Sequence, residues 1–198
     1  MDLKLSSSQN HFLDTNVILR YANSNSSPYE KDIKTILAEA HAKKRYLWVS
    51  GVIFAEFRPS NFVPGVFQSV DDLAKYVQSI ATVVSPDPII MMRVARFRDV
   101  EWKKPNATLL EKPKRLTLGD AIHLATALHI KESRAVDDLE FLTWDNGKSA
   151  TDELGKEAKA LPLLDAQDYM GGLNGNRDAN AICDLIRLRP ILAQQTLA

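Results

Sequence analysis

Four carboxylates stand where apolar segments begin or end. Asp14 directly follows Phe12-Leu13, Glu56 follows Ile53-Phe54-Ala55, Asp120 precedes Ala121-Ile122, and Asp145 follows Phe141-Leu142-Thr143-Trp144. A carboxylate carried toward a core without a partner is costly, so four such placements need compensation. A divalent cation supplies it. With only 4 histidines and 1 cysteine in the chain, the donors are hard oxygens, which favour Mg²⁺ or Mn²⁺ over zinc. Taken singly, Asp14 and Asp120 read equally well as helix caps and Glu56 as a surface glutamate. Together they read as candidate metal ligands.

The stretch His11-Phe12-Leu13-Asp14-Thr15-Asn16-Val17-Ile18-Leu19-Arg20 is the one that the rest must serve. An apolar run that ends in Asp-Thr-Asn and restarts at helical spacing reads as the C-terminal end of a buried parallel strand, where open α/β sheets put their ligands. Asp14 then points into a cleft. Beyond the polar loop Asn23–Pro28, Ser27-Pro28-Tyr29-Glu30 starts a helix with Ile33, Ile36, Leu37 and Ala40 on one face, closed by Lys43-Lys44-Arg45. Tyr46-Leu47-Trp48-Val49 reads as a second strand, with Ser50 capping the helix that carries Glu56 and Arg58-Pro59 stopping it. After a turn-rich loop, Leu73, Tyr76, Val77 and Ile80 mark a helix, Thr82–Ser85 a strand, and Ile89 to about Asp99 another helix. Thr117-Leu118-Gly119-Asp120 enters a helix whose apolar face is Ala121, Ile122, Leu124, Ala125 and Leu128; His123 lies one turn beyond Asp120, within reach of the cleft, and reads first as packed or solvent-facing. Glu140–Asp145 is a strand ending in a carboxylate, followed by the turn Asn146-Gly147 and a short helix over Thr151–Ala160. Leu161–Leu164 reads as a last edge strand, and Ala179–Leu188 as one amphipathic helix with Cys183 in its core face. The chain thus divides into a lead-in (1–10), a main domain (11–170), and a linker with a C-terminal helical tail (171–198).

Composition narrows the function classes. At 198 residues with 45% apolar side chains the chain can bury a full core. Lys+Arg and Asp+Glu both number 25, so no global basic field announces a nucleic acid and any such contact must be local. The one local bias is residues 101–115, where Lys103, Lys104, Lys112, Lys114 and Arg115 outnumber Glu111. These are candidate phosphate contacts, with a solvated loop as the bland alternative, and Trp102 beside them reads first as packed and second as a base-stacking ring. A single cysteine rules out an intrachain disulfide, and no 18-residue apolar run occurs, so the expectation is a soluble, cytoplasmic protein without membrane contact.

Four segments in this order resemble the PIN-domain nucleases, and within them the group that includes bacterial VapC-type toxins: Phe12-Leu13-Asp14-Thr15-Asn16, Glu56 after the second strand, Leu118-Gly119-Asp120-Ala121-Ile122-His123-Leu124-Ala125-Thr126-Ala127, and Phe141-Leu142-Thr143-Trp144-Asp145-Asn146. The resemblance covers roughly residues 10 to 168. It implies a three-layer α/β/α sandwich around a central, mainly parallel sheet, carrying a Mg²⁺- or Mn²⁺-dependent endoribonuclease site. By the same resemblance Asp14, Glu56, Asp120 and Asp145 are the metal-binding and catalytic acids, and Asn16 and Thr143 support them by hydrogen bonding. The implied mechanism is metal-assisted hydrolysis of RNA phosphodiesters without a covalent nucleophile. Implied partners are RNA, an antitoxin protein if the chain is a toxin, and a second copy in a homodimer. Lys148 replaces an aromatic residue that family members commonly carry three positions after the last Asp.

Two other functions compete. A phosphatase of the haloacid-dehalogenase type also opens with Asp after a strand, but it needs Asp two positions on, where this chain has Asn16. A catalytically weak PIN-like module that binds RNA or protein is the stronger rival.

Overall fold

Alternation along the strands decides which helices lie on which side of the sheet. The computed structural model describes residues 8–23, 30–62, 64–108, 110–145 and 160–192. Its strands are β1 (Asn10–Leu13), β2 (Tyr46–Ser50), β3 (Ala81–Val84), β4 (Glu140–Leu142) and β5 (Arg187–Leu188), all parallel, in the spatial order β3-β2-β1-β4-β5. Phe12 and Phe141 are paired across β1 and β4 and face one side, where their rings stack with centroids 5.3 Å apart. Leu13 and Leu142, one residue on, face the other. Both faces are buried, so the strands read as continuous apolar runs.

The helices follow from this. On the Leu13 side lie α1 (Thr15–Ala22), α2 (Glu30–His41) and α4 (Val70–Ile80), with Ile33, Ile36, Leu37 and Ala40 of α2 all buried as their spacing predicts. On the Phe12 side lie α5 (Pro88–Asp99), α6 (Leu118–Ser133) and α7 (Arg177–Asp184). The single turn α3 (Ile53–Glu56) follows β2. Helix α6 packs on β2, α5 and α7 and buries residues all round its axis, hence its near-uniform apolar composition. Three layers result, a parallel sheet between two sets of helices.

Three sequence expectations are corrected. Leu161–Leu164 is not a strand: Ala160 makes one bridge to Arg115, and Leu161 and Leu163 are buried as core side chains. The fifth strand comes instead from the stretch read as a single tail helix. Helix α7 stops at Asp184, and the chain turns extended at Leu185 because the open edge of β4 offers hydrogen bonds, with Phe141 N–H donating to Ile186 O (2.8 Å) and Thr143 N–H to Leu188 O (3.0 Å). Ser50 ends β2 fully buried, and α3 begins without a side-chain cap. The loop at 24–28 with the helix start at Ser27-Pro28, the turn at Asn146-Gly147, Lys148 and the helix read over 151–160 lie outside the described residues, apart from Ala160. No helix among the described residues is long and apolar enough to cross a membrane.

Candidate active site

Strand order reverses between β1 and β4, since β1 leads on one side to β2 and β3 and on the other borders β4 and β5. The carboxyl ends of strands at such a switch point leave a crevice. Asp14 lies there, immediately after β1 and 4% exposed, its backbone N–H donating to Leu142 O of β4 (3.0 Å). Two side chains address its carboxylate. Asn16 Nδ2 and Thr143 Oγ1 each donate to Oδ2 at 2.6 Å, and Asn16 Nδ2 also donates to Thr143 Oγ1 (3.1 Å). No hydrogen bond reaches Oδ1 from the described residues. Asn16 Oδ1 in turn accepts from Trp144 N–H (3.0 Å), and Thr143 Oγ1 from Asp145 N–H (3.0 Å), so the segment after β4 is tied to the start of α1. Burial pushes the Asp14 carboxyl above its ordinary value, and the charges of Glu56 and Asp145 add to this; His123 and the Thr143 hydrogen bond oppose it without cancelling it.

Helix α6 brings in Asp120. Thr117 caps the helix, accepting from Asp120 N–H (3.2 Å) while its own hydroxyl donates to Asp120 Oδ2 (2.6 Å). Burial, joined by repulsion from Asp14 and Asp145, nevertheless pushes the Asp120 carboxyl up to about 6. Asp145 faces the chain running back from residue 160, its Oδ2 accepting from Leu163 N–H (3.3 Å).

Glu56 takes a different position. Its Oε2 accepts from Thr15 Oγ1 and lies 3.1 Å from His123 Nε2, which is itself 2.9 Å from Thr15 Oγ1. Burial pushes Glu56 up, but the hydrogen bonds from His123 and Thr15 outweigh it and hold its carboxyl below the ordinary value. His123 shifts the matching way: burial lowers it, yet Glu56 and Asp14 raise it overall, toward a buried imidazolium facing a carboxylate. The sequence offers His123 first as a packed or surface residue and second as one that reaches the cleft. It is packed, at 1% exposure, and it also holds Glu56. The signal was its spacing, three residues past Asp120 and so on the same helix face. Gly119 stands in the sequence beside Asp120 with no local sign of its role. A Cβ there would stand 2.1 Å from Glu56 Oε1, so the glycine is the space in which that carboxylate lies.

A family model for the PIN domain matches residues 11–145, which includes all four acids. The chain belongs to the PIN-domain family. A search of curated proteins finds no match for it. PIN domains are generally metal-dependent nucleases and usually use Mg²⁺, so a nuclease-type hydrolase function goes with membership. The residues of this PIN domain fit such an ion in donor chemistry. Asp14 and Asp120 are largely buried carboxylates pushed toward protonation by burial and by neighbouring acids, and a hard cation would relieve both effects. Among the described residues no three acids, histidines or cysteines converge closely enough to hold a metal between them, Glu56 being engaged by Thr15 and His123.

The basic stretch of this PIN domain is a built hairpin. Trp102 and Lys114 exchange backbone hydrogen bonds (2.9 and 2.8 Å), Lys103 N–H donates to Tyr169 O (3.0 Å), and Gly171 N–H donates to Lys103 O (2.8 Å). Trp102 is fully buried, which removes it as a base-stacking ring. Lys104 and Lys114 hold their ammonium groups 5.6 and 5.7 Å from the Tyr169 ring centre, while Lys103 and Lys112 are exposed. Arg115 pairs with Glu101 (2.5 Å), which partly spends its charge. The hairpin adjoins the acids through the backbone, since Arg115 O accepts from Leu161 N–H (3.0 Å) two residues before the Leu163 that meets Asp145.

Proposed function

We propose that this PIN domain is a metal-dependent endoribonuclease that hydrolyses phosphodiester bonds of single-stranded or structured RNA. The observation that carries the reading is the placement of Asp14 and Asp120, two largely buried carboxylates each raised by burial and by neighbouring acids, at the switch point of a parallel sheet. Asp14, Asp120, Asp145 and Glu56 would hold Mg²⁺ or Mn²⁺, which when bound activates water and balances the charge that grows on a phosphodiester. The chain's own part is positional. Asn16 and Thr143 fix the Asp14 carboxylate through Oδ2, Thr117 fixes Asp120, and Thr15 with His123 fixes Glu56. The lysines of the 101–115 hairpin supply sequence-independent phosphate contacts beside the acids. A toxin role, with an antitoxin that covers this cleft and a homodimeric chain, extends the same reading.

The engagement of Glu56 by His123 favours a second reading, a PIN-like module that binds RNA and cleaves it weakly. One experiment separates the two: cleavage of a 5′-labelled single-stranded RNA with and without Mn²⁺, by wild type and Asp14→Asn. Cutting that needs Mn²⁺ and disappears in the variant supports the nuclease. RNA binding without cutting in either protein supports the module.

A further inference from the structure

A cleft lined with carboxylates repels a polyanion, so substrate needs a positive group at its rim. The geometry points to Arg20, held on Trp144, as a substrate-binding residue that takes a phosphate of single-stranded RNA at the mouth of this cleft; this rests on the ribonuclease reading above.

Arg20 is on α1, one helical turn beyond Asn16 and on the same face. Its guanidinium carbon lies 4.6 Å from the Trp144 ring centre. Trp144 is itself half-buried and fixed at the cleft, its backbone N–H donating to Asn16 Oδ1, with the Asp14-bound Thr143 before it and Asp145 after it. Arg20 is exposed, and among the described residues it meets no carboxylate. Arg45, Arg93, Arg96 and Arg115, by contrast, each pair with a carboxylate. A guanidinium over an aromatic ring engages through its face and keeps the N–H donors on its edge, where they match two oxygens of a phosphate. The ring also restrains a flexible side chain before substrate arrives, which lowers the entropy lost on binding. A basic residue in the last turn of α1 would complement the helix dipole in any case, but that role asks only for charge, and lysine would serve it equally.

The test compares full-length wild type, Arg20→Ala, Arg20→Lys, Trp144→Leu and the double variant Arg20→Ala/Trp144→Leu. Readouts are Mn²⁺-dependent cleavage of a single-stranded RNA, melting temperature, and salt-dependent RNA binding, the last in an Asp14→Asn background. We expect Arg20→Ala to raise KM about tenfold with little change in kcat, as for one lost charge-assisted contact. The slope of log affinity against log salt should flatten by about 0.7, one single-strand phosphate. Arg20→Lys should recover the slope but only part of the KM, Trp144→Leu should raise KM toward that of Arg20→Ala while keeping the slope of the retained charge, and the double variant should match Arg20→Ala, since the ring acts through the arginine. An Arg20→Ala protein with a lowered melting temperature but unchanged KM and salt slope would reduce the residue to a helix-end charge and overturn the proposal. A wild type that neither cuts nor binds RNA would overturn the ribonuclease reading, and this proposal with it.

Discussion

At the scale of single residues, the site depends on one missing atom. Gly119 precedes Asp120 in the first turn of α6, and a methyl group there would collide with Glu56 Oε1 at 2.1 Å and crowd its Cδ at 3.3 Å. The obstacle is the free end of a flexible side chain, so the fold can yield where the carboxylate cannot stay. Gly119→Ala should therefore melt within about 1 kcal/mol of wild type, because alanine also favours the helix. Mn²⁺-dependent cleavage should fall about 10- to 100-fold, as for a group displaced by about an ångström. A large loss of stability alongside activity would show that the helix moved instead. The acid at 120 is legible as an acid at a helix start. The need for glycine at 119 is not, because it arises from Glu56, distant in sequence.

At the scale of elements, the 101–115 hairpin shows a loop made rigid by a distant segment. Its backbone is bonded to Tyr169 and Gly171, and a Cβ at Gly171 would stand 2.6 Å from Lys104 O and 2.8 Å from Lys103 O. Backbone carbonyls cannot swing aside as a glutamate can. Gly171→Ala should cost about 1 to 3 kcal/mol, as overpacking does, and should weaken RNA binding, because the lysines lose their shared frame on Tyr169. Thermal melting and filter binding on one preparation check both. Unchanged binding in a destabilised variant would remove the hairpin from the nucleic-acid surface. The charge bias of the stretch is plain in the sequence. Its partner segment is not, since Tyr169 falls at the end of the expected main domain and Gly171 at the start of the linker-like stretch, with nothing local that ties either to the lysines.

At the scale of the whole molecule, the acids make stability depend on pH and on metal. Asp120 ionises near its ordinary 3.8 when unfolded and at about 6 when folded, so the folded chain holds its proton more tightly. Stability from this group is present at low pH and is lost as pH rises from about 4 to about 6. Asp14 adds in the same direction, and His123, raised by its acidic neighbours, loses its contribution as pH climbs past its folded value. Glu56 acts oppositely, its stabilisation fading as pH falls below the ordinary 4.5. In chelator, wild type should melt several degrees lower at about pH 6.5 than at about pH 4.5, and Asp120→Asn should regain about 1 to 3 kcal/mol at the higher pH only. Adding Mn²⁺ at the higher pH should stabilise wild type and not the variant. A flat profile in wild type would mean that Asp120 is not under this repulsion.

The sequence by itself determined the parts whose signal is local. Periodicity marked α2, α4, α5 and α6, apolar runs marked β1 and β2, and carboxylates at their ends marked the candidate site, because a side chain's face on a helix or strand follows from spacing alone. Tertiary structure decided what depends on neighbours far along the chain. The segment after α7 becomes β5 because β4 has an open edge, Trp102 is buried because its hairpin folds back on Tyr169 and Gly171, and His123 faces Glu56 because α6 packs on β2. Each of these contacts joins residues whose separation the local pattern does not encode, and burial and hydrogen bonding at those contacts select one arrangement among those that local propensity allows.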